Sequence, residues 1–320
     1  MKIIKAQAQL LEQRTRLGLV EACGRICYKS EDRIGPGTAA KFVSGLIKAQ
    51  HDAMIEHATY TIHVPIDDIR TEDLTHGSFL VYDVSDTSDS VIVSGNVRAW
   101  RNYFKYCITW GLGCEFLLDA LCTEDVEAYS VFFGDLFPDY IPLDDVDEDL
   151  RNTFVMDEDQ VKAHFYNDSE ARKRHIFRTI MMRTDRGVTH ELVRHRPASF
   201  AQESTRYCNY SGHMEFILPS FWDVQAEGID CDERAKRQAC FETWYAAVSD
   251  ANESYKTLIA RGAKPQEARS VLPNSLKTDI VVTASMEEWD HIIELRTAPS
   301  AHPQIQDVIN MSKELLYGQA

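Results

Sequence analysis

Positive charge is scarce in this chain. Its 34 Lys and Arg stand against 50 Asp and Glu, a formal net charge of −16, which repels nucleic acid and anionic membrane unless basic residues are gathered in one place. Long apolar runs are lacking as well: no stretch approaches the roughly 18 apolar residues that span a bilayer. The N-terminal MKIIKAQAQLLEQ has no apolar core of the kind a secretion signal carries. Paired cysteines are missing too. The eight cysteines are scattered without a CxxC pair, so no metal site is expected, and reduced thiols in a cytoplasmic protein are the default. Cys23 and Cys27, four apart, read as small apolar residues on one helix face. What is present is 44% hydrophobic residues over 320 positions, enough to bury a substantial core in one domain spanning 1–320.

Periodicity gives a coarse order of elements. Helical spacing of apolar residues runs over Arg14–Tyr28 and again from Phe42 to Ile47. His57 to Pro65 alternates and is rich in β-branched and aromatic residues, as a half-buried strand requires. Val91 to Tyr106 reads as a strand turning into a helix at Gly95-Asn96, with Trp100, Tyr103 and Phe104 facing inward. Residues 107–173, with their acidic runs, read as a peripheral helical insertion with solvated loops. A strand is expected over His175–Met182, then a short helix over Thr189–Arg196 stopped by Pro197. Pro265 opens a helix that Pro273 ends, Thr278–Thr283 forms a strand, and Ser285 with Glu288 makes a capping box. On the helix that follows, Trp289, Ile292, Ile293 and Arg296 share one stripe, so an arginine on a core-facing side needs an anionic partner.

Against the acidic background, one segment of fourteen residues, RHRPASFAQESTRY from Arg194 to Tyr207, gathers three guanidinium groups, an imidazole and several hydroxyls. Guanidinium is planar, always charged, and grips phosphate or carbonyl groups through paired hydrogen bonds, so the segment points to a phosphorylated heteroaromatic ligand. Ser204 lacks an adjacent base in ESTRY and is read as positioning and polarising rather than nucleophilic.

The order Arg-His-Arg, seven residues, Ser resembles the signature of the flavin-dependent thymidylate synthases. Similar islands lie at ACGRICYKS (22–30), IEHATYTIHV (55–64), RGVTHELVRHR (186–196) and from Ala268 to Arg296. The resemblance implies an α/β fold with a central mixed or antiparallel sheet flanked by helices, assembled as a homotetramer with shared active sites. It implies reductive methylation of deoxyuridine monophosphate (dUMP) with 5,10-methylenetetrahydrofolate as carbon donor, FAD as hydride carrier and NADPH to recharge it. A dUMP hydroxymethylase or a non-catalytic flavin- and nucleotide-binding protein are the competing readings. Carried over by position, Arg296, Ser204 and Gln202 are the implied catalytic residues. Arg194, His195, Arg196, Gln202, Thr59, His57, Ser285 and His291 are the implied flavin contacts. Glu191, Leu192, Arg194, Gln202, Ser204, Thr205, Arg206, Arg269 and Arg296 are the implied dUMP contacts.

The chain departs from that pattern in two places. Ser285-Met286-Glu287 stands where many members carry Asn-x-Arg, so a flavin-contacting arginine is missing and Glu287 would repel phosphate. Ala201 replaces a frequent asparagine. Meanwhile Asn96-Val97-Arg98-Ala99-Trp100 resembles the missing pattern elsewhere, with Trp100 echoing Trp289, as a divergent duplication would leave it.

Overall fold

A computed structural model describes residues 1–11, 15–74, 79–85, 87–140 and 152–318. Among the described residues ten strands run in chain order: β1 (Lys2–Ile4), β2 (Gln7–Leu10), β3 (Thr59–Pro65), β4 (Val81–Val84), β5 (Ser90–Asn96), β6 (Phe154–Val155), β7 (Phe177–Asp185), β8 (Ser199–Gln202), β9 (Glu215–Ile217) and β10 (Lys277–Ser285). The expected single central sheet is split. Two four-stranded antiparallel sheets form, ordered β2-β7-β10-β8 and β4-β5-β3-β6, beside a small parallel pair, β1-β9. The α/β class with antiparallel sheets flanked by helices stands.

In the sheet that carries the signature, β10 is paired on both sides and is buried along nearly its whole length. Its side chains alternate between faces. Ile280, Val282 and Ala284 join Trp289, Ile292 and Ile305 in a core with the helices Met286–Thr297 and Pro303–Tyr317. Val281, with Ala201 of β8, instead meets Cys23, Ile26 and Cys27 of the helix Arg16–Tyr28. Thr15 caps that helix by accepting from the Gly18 amide at 3.0 Å, and Lys29 ends it at φ +50. Cys23 and Cys27 are thus the buried apolar pair the spacing predicted.

The largest core lies under the other sheet, where Tyr60, Ile62 and Val93 pack with Trp100 and Phe104. Here the segment 107–173 departs from expectation. The helices Glu115–Glu124 and Val126–Phe133 send Leu117, Leu121, Phe132 and Phe133 into this core, and β6 extends the sheet beside β3. The segment is structural rather than peripheral, because its apolar residues outweigh the acidic runs that suggested a solvated surface. Residues 141–151, within those runs, lie outside the described residues. The helix expected over Thr189–Arg196 also lies earlier, at Arg186–Leu192, where Asp185 caps the Val188 amide at 2.8 Å. No described helix is long and apolar enough to cross a membrane.

Candidate active site

Beneath the signature lies a charge network that fixes its backbone. Glu203 is buried, accepts from Lys277 Nζ and Lys29 Nζ at 2.9 Å each, and accepts a hydrogen bond from the Tyr210 hydroxyl at 2.6 Å. Lys277 also holds Asp279, which Arg183 grips at 2.8 Å. Removing one member would strand a buried charge, at a cost of about 3–5 kcal/mol. The neighbouring Ser204 amide donates to Cys27 O at 3.0 Å, tying the signature to the end of the helix Arg16–Tyr28. Sequence reading gave Glu203 no part in this.

Around Ser204 and Thr205 stand three arginines with no carboxylate partner among the described residues. Arg269 Nη1 donates to Thr205 Oγ1 at 3.4 Å, and Arg206 lies over the Tyr207 ring with its charge exposed to solvent. Arg186 was not singled out from sequence. It is half buried and bonds only neutral acceptors, Glu203 O at 3.4 Å and Thr278 Oγ1 at 3.3 Å. Burial pushes its guanidinium down from the ordinary range, and the Arg269 charge adds to that. By contrast Arg174, Arg178, Arg183 and Arg296 each hold a carboxylate. A cation held in a low-dielectric setting without a counter-charge is a seat for an anion.

Ser204 also opens onto a groove of about 500 Å³, whose walls include Tyr28, His51, Met54, Arg98, Gln202 and Tyr207. The Tyr28 and Tyr207 rings, 5.6 Å apart and tilted by 50° to each other, give that wall its aromatic surface. Gln202 Nε2 donates to Thr189 Oγ1 at 2.9 Å, which leaves its carbonyl oxygen without a bond among the described residues. Cys27 lines the groove as well. Burial, reinforced by Cys208, pushes its thiol up to about 12, so it stays protonated and offers no thiolate nucleophile.

Arg296 finds the anionic partner its position demanded. Nη1 donates to Glu191 Oε2 at 2.9 Å, Nη2 to Glu191 O at 3.0 Å, and Nε to His195 Nε2 at 2.9 Å. Because Nε2 accepts, the neutral His195 ring carries its hydrogen on Nδ1, 3.7 Å from Glu288 Oε1. His195, Glu288 and His291 present ligand atoms within 4.8 Å of one another, a three-donor set that the cysteine spacing gave no hint of. The Arg296 guanidinium on His195 opposes a cation there.

Other expected contacts fall elsewhere. His57 is sealed in the interior, with Nδ1 at 2.7 Å from Thr283 Oγ1 and burial lowering its pKa to about 3, so it cannot touch a ligand in the groove. Thr59 lines a separate cavity of about 380 Å³ with Arg16, Thr61, Arg178 and Thr179. Leu192 is a core side chain, and Ser285 spends its hydroxyl on the Glu288 amide at 3.2 Å, half of the expected capping box. Glu287 sits 3.6 Å from Arg174. Arg194 and Arg196 are exposed, and no side-chain bond ties either to the described residues; His291 is exposed with its ring 5.9 Å from that of His195. Parity and spacing place a residue on a face of its own strand, but not what covers that face.

Residues 167–320 match the model of the Thy1 family, thymidylate synthase complementing protein. The chain is 30% identical over 158 residues to a flavin-dependent thymidylate synthase of Pyrococcus abyssi, and 34% identical over 135 residues to that of Geobacter sulfurreducens. This stretch of the chain is similar to the flavin-dependent thymidylate synthase (Thy1) family. The matches cover 48% and 42% of this chain and span 61% and 53% of those relatives' lengths. A solved structure titled as a UMP/dUMP methylase PolB from Streptomyces cacaoi, bound with 5-Br dUMP, aligns over 99% of this chain and 92% of that one. Its identity is 16% and its TM-score 0.41, a likeness too loose to bear on function.

Proposed function

We propose that this chain is a flavin-dependent thymidylate synthase, converting dUMP to dTMP with 5,10-methylenetetrahydrofolate as carbon donor and NADPH as the source of reducing power. One observation carries the reading: Arg186, Arg206 and Arg269, three guanidiniums without a carboxylate partner among the described residues, stand at Ser204-Thr205, beside an aromatic-walled groove. The seat suits a nucleotide phosphate and the groove a flat ring. Gln202, held by Thr189, faces the groove with an amide able to hold a pyrimidine edge. Arg296, clamped by Glu191 and His195, is the group to stabilise negative charge on the activated pyrimidine, with the helix Arg186–Leu192 linking the two parts.

The donor set also fits FAD. Tyr28 and Tyr207 offer faces for an isoalloxazine ring, and Arg194 and Arg196 are exposed cations without partners among the described residues. Bound there, FAD supplies the hydride that folate does not provide in this route, while the protein's task is to hold pyrimidine and flavin face to face and exclude water. Assembly as a homotetramer in the cytoplasm belongs to the same proposal. Tritium release from uracil-labelled dUMP, given FAD, folate and reductant, tests it. Release with a methylated product by mass spectrometry is expected; a hydroxymethylated product would identify a hydroxymethylase, and no release by flavin-loaded protein would remove the assignment.

A further inference from the structure

The two antiparallel sheets carry the same set of hydrogen bonds twice. In the signature-bearing sheet, Ser285 ends β10 and caps the Glu288 amide, and the Trp289 indole N–H donates to Arg178 O at 3.0 Å on the partner strand β7. In the other sheet, Asn96 ends β5 and caps the Ala99 amide at 2.9 Å, and the Trp100 indole N–H donates to Tyr60 O at 3.4 Å on its partner strand β3. Registers agree: Arg178 pairs with Ala284 just before one cap, and Tyr60 pairs with Gly95 just before the other.

The units also cross over to each other reciprocally. His57, ahead of β3, meets Thr283 Oγ1 at 2.7 Å, and His175, ahead of β7, meets Ser94 Oγ at 2.8 Å. Thr61 bonds the same Ser94 at 2.7 Å, as Thr179 bonds the same Thr283 at 2.7 Å. All first-strand pairs differ by 118 in number (57 and 175, 60 and 178, 61 and 179), and all second-strand and helix pairs by 189 (94 and 283, 96 and 285, 100 and 289). Residue i of one unit meeting j of the other, and j meeting i, is the pattern of a two-fold interface. Here both partners lie in one chain.

Under that correspondence the copies have diverged in complementary ways. The position two past the cap is Arg98 in the first unit and Glu287 in the second; the position eleven past it is Cys107 in the first and Arg296 in the second. Arg98 lines the groove beside Gln202, Ser204 and Tyr207, whereas Glu287 is turned to Arg174. Glu56 engages one Arg98 nitrogen, Nη1, at 2.6 Å, leaving Nε and Nη2 without a described bond.

We propose that residues 57–110 include a diverged second copy of the strand–strand–helix unit, and that the groove is a composite site in which this copy supplies a ligand-binding cation, Arg98. With the nucleotide phosphate seated on Arg186, Arg206 and Arg269, Arg98 serves the diphosphate of FAD, taking over what position 287 cannot offer. This rests on the flavin and dUMP reading above.

Equilibrium binding of FAD and of dUMP separates the two. Arg98→Ala weakens FAD by about tenfold or more, the scale of one charge-assisted contact, and changes dUMP by less than about threefold. Arg98→Lys, which keeps charge but not the fork, falls between wild type and Arg98→Ala and serves alone if the alanine variant does not fold. Glu287→Gln leaves FAD affinity within about twofold, since that position faces Arg174. Wild-type FAD affinity in folded Arg98→Ala or Arg98→Lys overturns the inference and leaves the enzyme reading standing. Equal loss of both ligands with a lowered melting temperature reduces Arg98 to a structural role and overturns it too. Failure of the wild-type protein to bind FAD removes both.

Discussion

At the residue scale, the arginines sort by whether a carboxylate answers them. Arg296 and Arg183 are answered, and Arg186 is not. Arg186→Gln therefore raises the Kd for dUMP about tenfold or more while the melting temperature holds or rises, because an unpaired half-buried charge has been removed. Calorimetric titration and thermal melts check both parts; a lowered melting temperature with unchanged dUMP affinity would contradict the anion seat. His57 gives a second handle. Its folded pKa of about 3 lies below the ordinary 6.5, so between those values the unfolded chain binds a proton that the folded chain refuses. The contribution is neutral above about pH 6.5, and stability is lost as pH falls below it, with a slope approaching about 1.4 kcal/mol per pH unit. His57→Gln flattens that slope between pH 6.5 and 4 in denaturant melts, whereas an unchanged slope would mean that His57 is not held neutral. The signature was legible because its residue types announce anion chemistry. Arg186 was not, since the absence of a partner is a fact of three dimensions.

At the element scale, capping and periodicity carried far. The turn at Gly95-Asn96, the strand around Thr278–Thr283 and the inward Trp289 stripe all stand as read. The segment 107–173 holds acidic stretches and a buried helix pair together, and composition averages the two. Phe133, buried against Tyr60 and Phe104, decides between the descriptions. Phe133→Ala costs about 3–5 kcal/mol in urea unfolding if it belongs to the main core; a loss under about 1 kcal/mol would return the segment to the periphery. The helix Arg186–Leu192 starts earlier than expected because Asp185 caps it from the strand end, a choice the later Pro197 gave no sign of.

At the scale of the whole molecule, an acidic chain of net charge −16 sets Arg98 in the wall of one groove and Arg206 and Arg269 beside the Ser204-Thr205 segment that borders it. Stretches scattered along the chain meet at the groove: Cys27 and Tyr28 pack beside Ser204, Glu56 holds Arg98, Thr189 holds Gln202, and Arg269 bonds Thr205. Sequence could show that these stretches occur in order, and one departure hinted at a duplication. That the repeat folds back on itself across a two-fold, so that two sheets replace one, required the reciprocal histidine contacts to be seen. The most direct test is an absorbance titration of the FAD-reconstituted protein with dUMP. Retained flavin, yellow in colour, whose bands shift saturably as dUMP is added is the result this account predicts. Flavin that washes away, or bands that do not move at saturating dUMP, would contradict it.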